Sequence, residues 1–137
     1  MLRLVFLFVL FQTTALVANE FRELFKIALQ KDEQKKILVK YANKDRLFEF
    51  YWTLYSNGGL VTFYRYDGFV SQNILYLNHK NQSIRIRLRD DGVAFHKLPY
   101  FILRFQEFDA KKNKAKFELF LYDDKEQMRL KFLKNKQ

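Results

Sequence analysis

The segment from residue 84 to residue 89 alternates strictly between apolar and basic side chains. Its apolar positions are Ile84, Ile86 and Leu88, and its basic positions are Arg85, Arg87 and Arg89. Because successive side chains of a β-strand point to opposite faces of the sheet, this pattern predicts a strand with one buried face. The other face must be solvated or covered by a partner.

The same period of two recurs in short segments that polar turns separate. The predicted strands are Ile37–Ala42, Leu47–Tyr55, Leu60–Tyr66, Phe69–Leu77, Ser83–Arg89, Val93–Lys97, Tyr100–Phe108, Ala115–Tyr122 and Gln127–Leu133. The first of these strands, Ile37–Ala42, could instead be the continuation of a helix that is predicted before it. Asn57-Gly58 and Asp67-Gly68 favour two-residue hairpin turns, because these residues tolerate the positive φ that such turns use.

The strand over 47–55 carries the largest apolar side chains of the pattern. Strict alternation predicts one face with Phe48, Phe50, Trp52 and Leu54, and an opposite face with Glu49, Tyr51, Thr53 and Tyr55. The first set is expected to enter the core.

A different period precedes these strands. Between Glu20 and about Gln34, apolar residues recur at helical spacing, which predicts an amphipathic helix. The stripe consists of Phe21, Leu24, Phe25, Ala28 and Leu29. The side chain of Asn19 could cap the start of this helix.

Together these patterns predict a mainly β (α+β) fold. We expect an antiparallel meander of about eight or nine strands, forming a curved sheet or a small barrel, with one N-terminal helix. Residues 19–137 are expected to form a single domain. Cysteine is absent, but 49% hydrophobic and 18% aromatic residues allow a large core without disulfides.

Residues 1–18 are typical of a secretory signal peptide. Arg3 precedes an apolar run from Leu4 to Phe11, and cleavage is expected after Ala18, or alternatively after Ala15. The run is shorter than the roughly 20 residues that a membrane span needs. We therefore expect a mature chain without a transmembrane span. The abundance of lysine, asparagine, phenylalanine and tyrosine is typical of an AT-rich Gram-negative bacterium, so export would place the chain in the periplasm. An uncleaved segment would instead tether the domain to the membrane.

No motif predicts catalysis, a metal site or a cofactor. The two histidines, His79 and His96, are isolated, and the paired carboxylates at residues 90–91 and 123–124 fall in predicted turns. The net charge of +10 favours anionic partners. Export argues against nucleic acid and favours an envelope protein, a lipid or an anionic polymer.

The arginine stripe is the one candidate binding site. Arg85, Arg87 and Arg89 would lie about 7 Å apart along a strand and could bind phosphates or carboxylates. Tyr64 and Tyr66 on a neighbouring strand could interleave with them. Alternatively, the arginines lie on a solvated face and pair across strands with acidic residues, for which Glu49, Glu107 and Glu118 are the candidates.

These features favour an exported, non-enzymatic binding or scaffold protein that acts through an aromatic-rich sheet. One alternative is a carrier of a lipid-like or anionic ligand inside a small barrel. A second alternative is a small periplasmic hydrolase.

Overall fold

The computed structural model describes residues 21–41, 43–88, 98–123 and 127–135. Nine strands occur there: β1 (Glu23–Gln30), β2 (Lys35–Tyr41), β3 (Lys44–Ser56), β4 (Gly59–Tyr66), β5 (Phe69–Tyr76), β6 (Ser83–Arg87), β7 (Tyr100–Asp109), β8 (Lys114–Tyr122) and β9 (Arg129–Leu133). The predicted signal peptide, Arg89, His96 and the predicted strand over 93–97 lie outside the described residues.

The strands form two antiparallel sheets. One sheet has four strands in the order β1-β8-β7-β6, and the other has five in the order β5-β4-β3-β2-β9. The mainly β, antiparallel class is thus confirmed. The predicted single curved sheet or closed barrel is not what the described strands form, because the chain changes sheet between β1 and β2, between β5 and β6, and between β8 and β9.

The predicted N-terminal helix is wrong, since residues 23–30 form β1 and the described residues contain no helix. Ile27 and Leu29 are buried while Lys26 and Ala28 are exposed, which is the period of a strand. β1 pairs along its whole length with β8, from Glu23 opposite Leu121 to Gln30 opposite Lys114. This apolar pattern is compatible with both periods over one or two turns, and pairing with β8 decides between them.

The core lies between the two sheets and is rich in aromatic rings. Phe48 of β3 contacts Phe101 of β7, with 5.2 Å between ring centroids. Phe50 of β3 meets Phe117 of β8 edge to face at 5.5 Å. These cross-sheet pairs bury the alternate residues of both sheets, as expected for a β-sandwich.

A β-bulge in β3 changes the predicted alternation. Phe48, Phe50 and Trp52 are buried as predicted. The pairing with β4 then shifts between Trp52 and Leu54, so that one extra residue faces the partner strand. As a result Leu54 is exposed, and Tyr55 turns inward to stack on Phe108 at 3.9 Å. The prediction that placed Leu54 inside and Tyr55 outside is wrong for this reason.

Both predicted hairpin turns are confirmed. Asn57 and Gly58 have φ values of 51° and 78°, and Asp67 and Gly68 have 49° and 78°. These positive angles match the twist of the flanking strands. The turns set the registers that align β3 with β4 and β4 with β5.

Candidate functional site

The structure places the two described arginines of the predicted stripe at the edge of the four-stranded sheet. Arg85 and Arg87 are exposed on β6, whereas Ile86 between them is buried. The guanidinium carbon of Arg85 lies 4.5 Å from the centroid of the Tyr100 ring, which is a cation–π distance. Arg89 lies outside the described residues, so the stripe as a ligand site stays a prediction.

The two predicted tyrosines face the core instead of joining these arginines. Tyr64 and Tyr66 lie on β4 of the other sheet and are 9% and 6% exposed. The Tyr66 hydroxyl donates a hydrogen bond to the backbone carbonyl of Leu88, directly after β6. The aromatic neighbour that sequence reasoning missed is Tyr100, because the pairing of Arg87 with Tyr100 depends on register between strands.

The charged side chains of Arg46 and Asp67 act on the buried hydroxyl group of Tyr66. Burial raises the pKa of Tyr66 above its usual value of 10.0, while the Arg46 guanidinium partly opposes that shift. Arg46 also donates to the Leu88 carbonyl at 3.4 Å, and its Nε lies 3.6 Å from an Asp67 carboxylate oxygen. This cluster links the end of β4 to the segment that follows β6, which is a structural role.

Two of the three acidic residues proposed as arginine partners pair with lysines. Glu49 lies 3.9 Å from Lys36, and Glu107 lies 3.2 Å from Lys116. Both lysines are cross-strand neighbours of these glutamates. Glu49 and Glu107 thus have lysine partners in the same ladder, and pairing of the stripe arginines with acidic residues stays a prediction.

The outer face of the five-stranded sheet exposes an apolar surface. We call it the apolar face and define it by Tyr51, Leu54, Val61, Phe63 and Ile74. Leu54, Val61 and Ile74 lie side by side across β3, β4 and β5. Tyr51 and Phe63 stack beside them, with 5.3 Å between centroids and 14° between ring planes. Leu54 is 53% exposed and Ile74 is 45% exposed.

Polar groups border this face. A pocket of about 120 Å³ lies next to the Tyr51 and Phe63 rings, and Glu49, Arg65 and Val70 also line it. An exposed apolar patch with a polar border is typical of a protein interaction site. Sequence reasoning missed this site because strict alternation buries Leu54, and only the bulge in β3 brings it outside.

A groove of about 390 Å³ crosses the four-stranded sheet near the shifted pairing in β7. Its lining includes Lys26, Glu107, Lys116 and Glu118. The Glu107 carboxylate accepts a hydrogen bond from Lys116. The described ranges hold no group of three or more histidine, aspartate or glutamate side chains that could bind a metal ion. Nor does any helix in those ranges have the length and apolarity to cross a membrane.

Comparisons with protein-family models, with curated proteins and with solved structures found no match.

Proposed function

We propose that this protein is an exported, non-enzymatic binding or scaffold protein of a bacterial envelope, and that its apolar face docks an envelope protein. The observation that carries this proposal is the row of Leu54, Val61 and Ile74 beside the Tyr51–Phe63 stack. A few buried residues supply most of the affinity at protein interfaces, and aromatic side chains such as tyrosine are enriched among them. Export is inferred from residues 1–18 of the sequence.

The border of the apolar face supports a protein partner. Lys36, Glu49 and Arg65 of neighbouring strands present both signs of charge beside the aromatic stack. A central apolar cluster surrounded by mixed charges provides affinity at the centre and orientation at the rim. A surface built only to bind anions would instead place basic groups together.

The strands of the described residues do not support the alternative that this protein carries a ligand inside a barrel. A carrier of this kind needs a barrel lumen, whereas the strands form two separate sheets. Phe48, Phe50 and Trp52 fill the space between those sheets and are almost completely buried. The arrangement favours binding at an outer surface over binding inside.

Two matched leucine variants test the proposal. Leu54→Lys places a charge on the apolar face, and Leu24→Lys places the same charge on the outer face of the other sheet. Leu24 is 48% exposed and thus comparable with Leu54 at 53%. The purified protein and both variants would be used as cross-linkable bait in envelope extracts, with folding checked by circular dichroism.

We expect an envelope protein that cross-links to the wild-type chain and to Leu24→Lys but not to Leu54→Lys. Equal capture by all three proteins would contradict docking at the apolar face. The same conclusion would follow if the two variants lost capture to the same extent.

A further inference from the structure

β5 is an edge strand of the five-stranded sheet, and one row of its backbone groups points away from that sheet. Tyr66 and Phe69 close a two-residue hairpin and are therefore a hydrogen-bonded pair. Hydrogen-bonded and non-hydrogen-bonded pairs alternate in an antiparallel ladder. The N–H and C=O groups of Val70, Gln72 and Ile74 consequently point to the open edge.

Bonds at the end of the strand agree with this assignment. The carbonyl of Asn73, which belongs to the inward set, accepts a hydrogen bond from the Thr62 hydroxyl of β4. Tyr76 belongs to the outward set, and its N–H donates away from β4 to the Asn81 carbonyl at 3.1 Å. Within the described residues, no hydrogen bond to the outward groups of Val70, Gln72 or Ile74 is formed.

β5 also differs in charge from the other three edge strands. β1 contains Glu23 and Lys26, β6 contains Arg85 and Arg87, and β9 contains Arg129 and Lys131. β5 contains no charged residue, although 29% of the whole chain is charged. Charged side chains are a common protection of sheet edges against pairing with another chain. Among the four edge strands that the described residues form, only β5 lacks charged side chains.

We propose that β5 pairs in antiparallel orientation with β5 of a second copy of this chain, with Gln72 on the twofold axis. Gln72 then faces Gln72 of the second copy, and Val70 faces Ile74 of the second copy in both directions. Each of these three pairs exchanges two backbone hydrogen bonds, since all their free groups point outward. The result is one continuous ten-stranded sheet with a doubled apolar face.

Self-complementarity favours a second copy over a foreign strand. A twofold interface uses the same patch on both subunits. In this register the exposed apolar residues Val70 and Ile74 face each other, and Phe69 faces Leu75 on the inner side. A shift of the axis by one residue places Gln72 opposite Val70 or Ile74 of the second copy. Such pairs set polar against apolar side chains, so the register about Gln72 is preferred.

The absence of cysteine from the chain allows a direct test. In Gln72→Cys the two introduced thiols face each other across the axis, within the distance that a disulfide can bridge. In Val70→Cys the two thiols are four residues apart along the ladder, which is about 14 Å at strand rise and too far for a disulfide. Mild oxidation of the purified proteins should therefore yield at least about ten times more disulfide-linked dimer from Gln72→Cys than from Val70→Cys.

A mixture of Val70→Cys and Ile74→Cys should also form a linked heterodimer, because these positions are opposite each other. Sedimentation of the wild-type protein should show a monomer–dimer equilibrium. A monomer at every concentration, or equal linkage of Val70→Cys and Gln72→Cys, would overturn the proposal. Linkage of Gln72→Cys in cells to another protein instead of its own copy would also overturn it.

Pairing of β5 uses the open edge of the sheet and shares only Ile74 with the apolar face, whereas docking is tested at Leu54 on β3. Loss of the dimer would leave capture dependent on Leu54 in place. Loss of capture in Leu54→Lys would leave the Gln72→Cys linkage in place. The two failures are therefore distinguishable.

Discussion

The indole nitrogen of Trp52 donates a hydrogen bond of 2.9 Å to the backbone carbonyl of Leu29. Trp52 belongs to β3 and Leu29 to β1, so this bond joins the two sheets through the core. Both residues are almost fully buried. The carbonyl of a buried strand residue is satisfied here by the only tryptophan of the chain.

Trp52→Phe tests the value of this bond. The change leaves the Leu29 carbonyl without its indole donor and removes part of the packed ring, so we expect a loss of about 2–4 kcal/mol in unfolding free energy. Urea unfolding followed by circular dichroism measures it. Tyr51→Phe on the outer face is the matched control, with an expected change within about 0.5 kcal/mol. Equal losses in both variants would show that the hydrogen bond contributes little.

Tyr66→Phe is expected to lower the unfolding free energy by about 1 kcal/mol at neutral pH. The loss is moderate because Arg46 still donates to the Leu88 carbonyl. Burial raises the folded-state pKa of Tyr66 above 10.0, so the unfolded chain releases the phenolic proton more readily. Stability from this group is present below pH 10 and declines as pH rises above it.

The wild-type advantage over Tyr66→Phe should therefore shrink above pH 10. Denaturant unfolding of both proteins from pH 7 to pH 11 measures this difference. A constant difference across that range would contradict a buried, protonated hydroxyl.

Asp123→Ala should strongly destabilise the fold. Asp123 is buried and accepts hydrogen bonds from Arg22 at 2.8 Å and from the Met128 backbone N–H at 2.7 Å. These contacts tie the residues before β1 and β9 to the end of β8. Charge-assisted bonds of this kind predict a loss of about 2–4 kcal/mol.

Glu107→Ala is the matched control for this change, because it removes an ion pair with Lys116 that is exposed on both sides. Its expected cost is below about 1 kcal/mol. Thermal unfolding of both variants measures which of the two loses more stability. A cost for Glu107→Ala as large as that for Asp123→Ala would contradict it.

Gly68→Ala isolates the conformational requirement of the β4–β5 turn. A Cβ at Gly68 would meet no atom within 4 Å, so the cost comes from its φ of 78° alone. We expect a loss of about 1–2 kcal/mol in unfolding free energy. Gly68→Asn should cost less, because asparagine adopts positive φ more readily. Equal melting temperatures for the two variants would contradict this account.

Patterns among neighbouring residues were sufficient to predict most of the strands. The alternation of Ile84 and Ile86 with Arg85 and Arg87 depends only on the geometry of a strand, and the structure has β6 there. The Asn57-Gly58 and Asp67-Gly68 turns likewise depend on two residues that tolerate positive φ. Such features need no information from distant parts of the chain.

Features that depend on contacts between distant residues escaped prediction. The apolar residues around Ile27 suit a helix or a strand, and pairing with β8 nearly a hundred positions away makes β1 a strand. The contacts of the candidate binding site also depend on residues that are distant in the sequence. Arg85 meets Tyr100, and Tyr64 turns inward, because of sheet membership that no local pattern encodes.

The sequence by itself thus determined that this chain forms antiparallel strands with buried alternate residues and tight hairpins. The tertiary structure decided how the strands divide between two sheets, and which side of β3 Leu54 faces after the bulge. The reason is physical: strand and turn preferences are properties of neighbouring residues, whereas register and sheet order depend on packing across the core. The apolar face and the open β5 edge both arise from that second level.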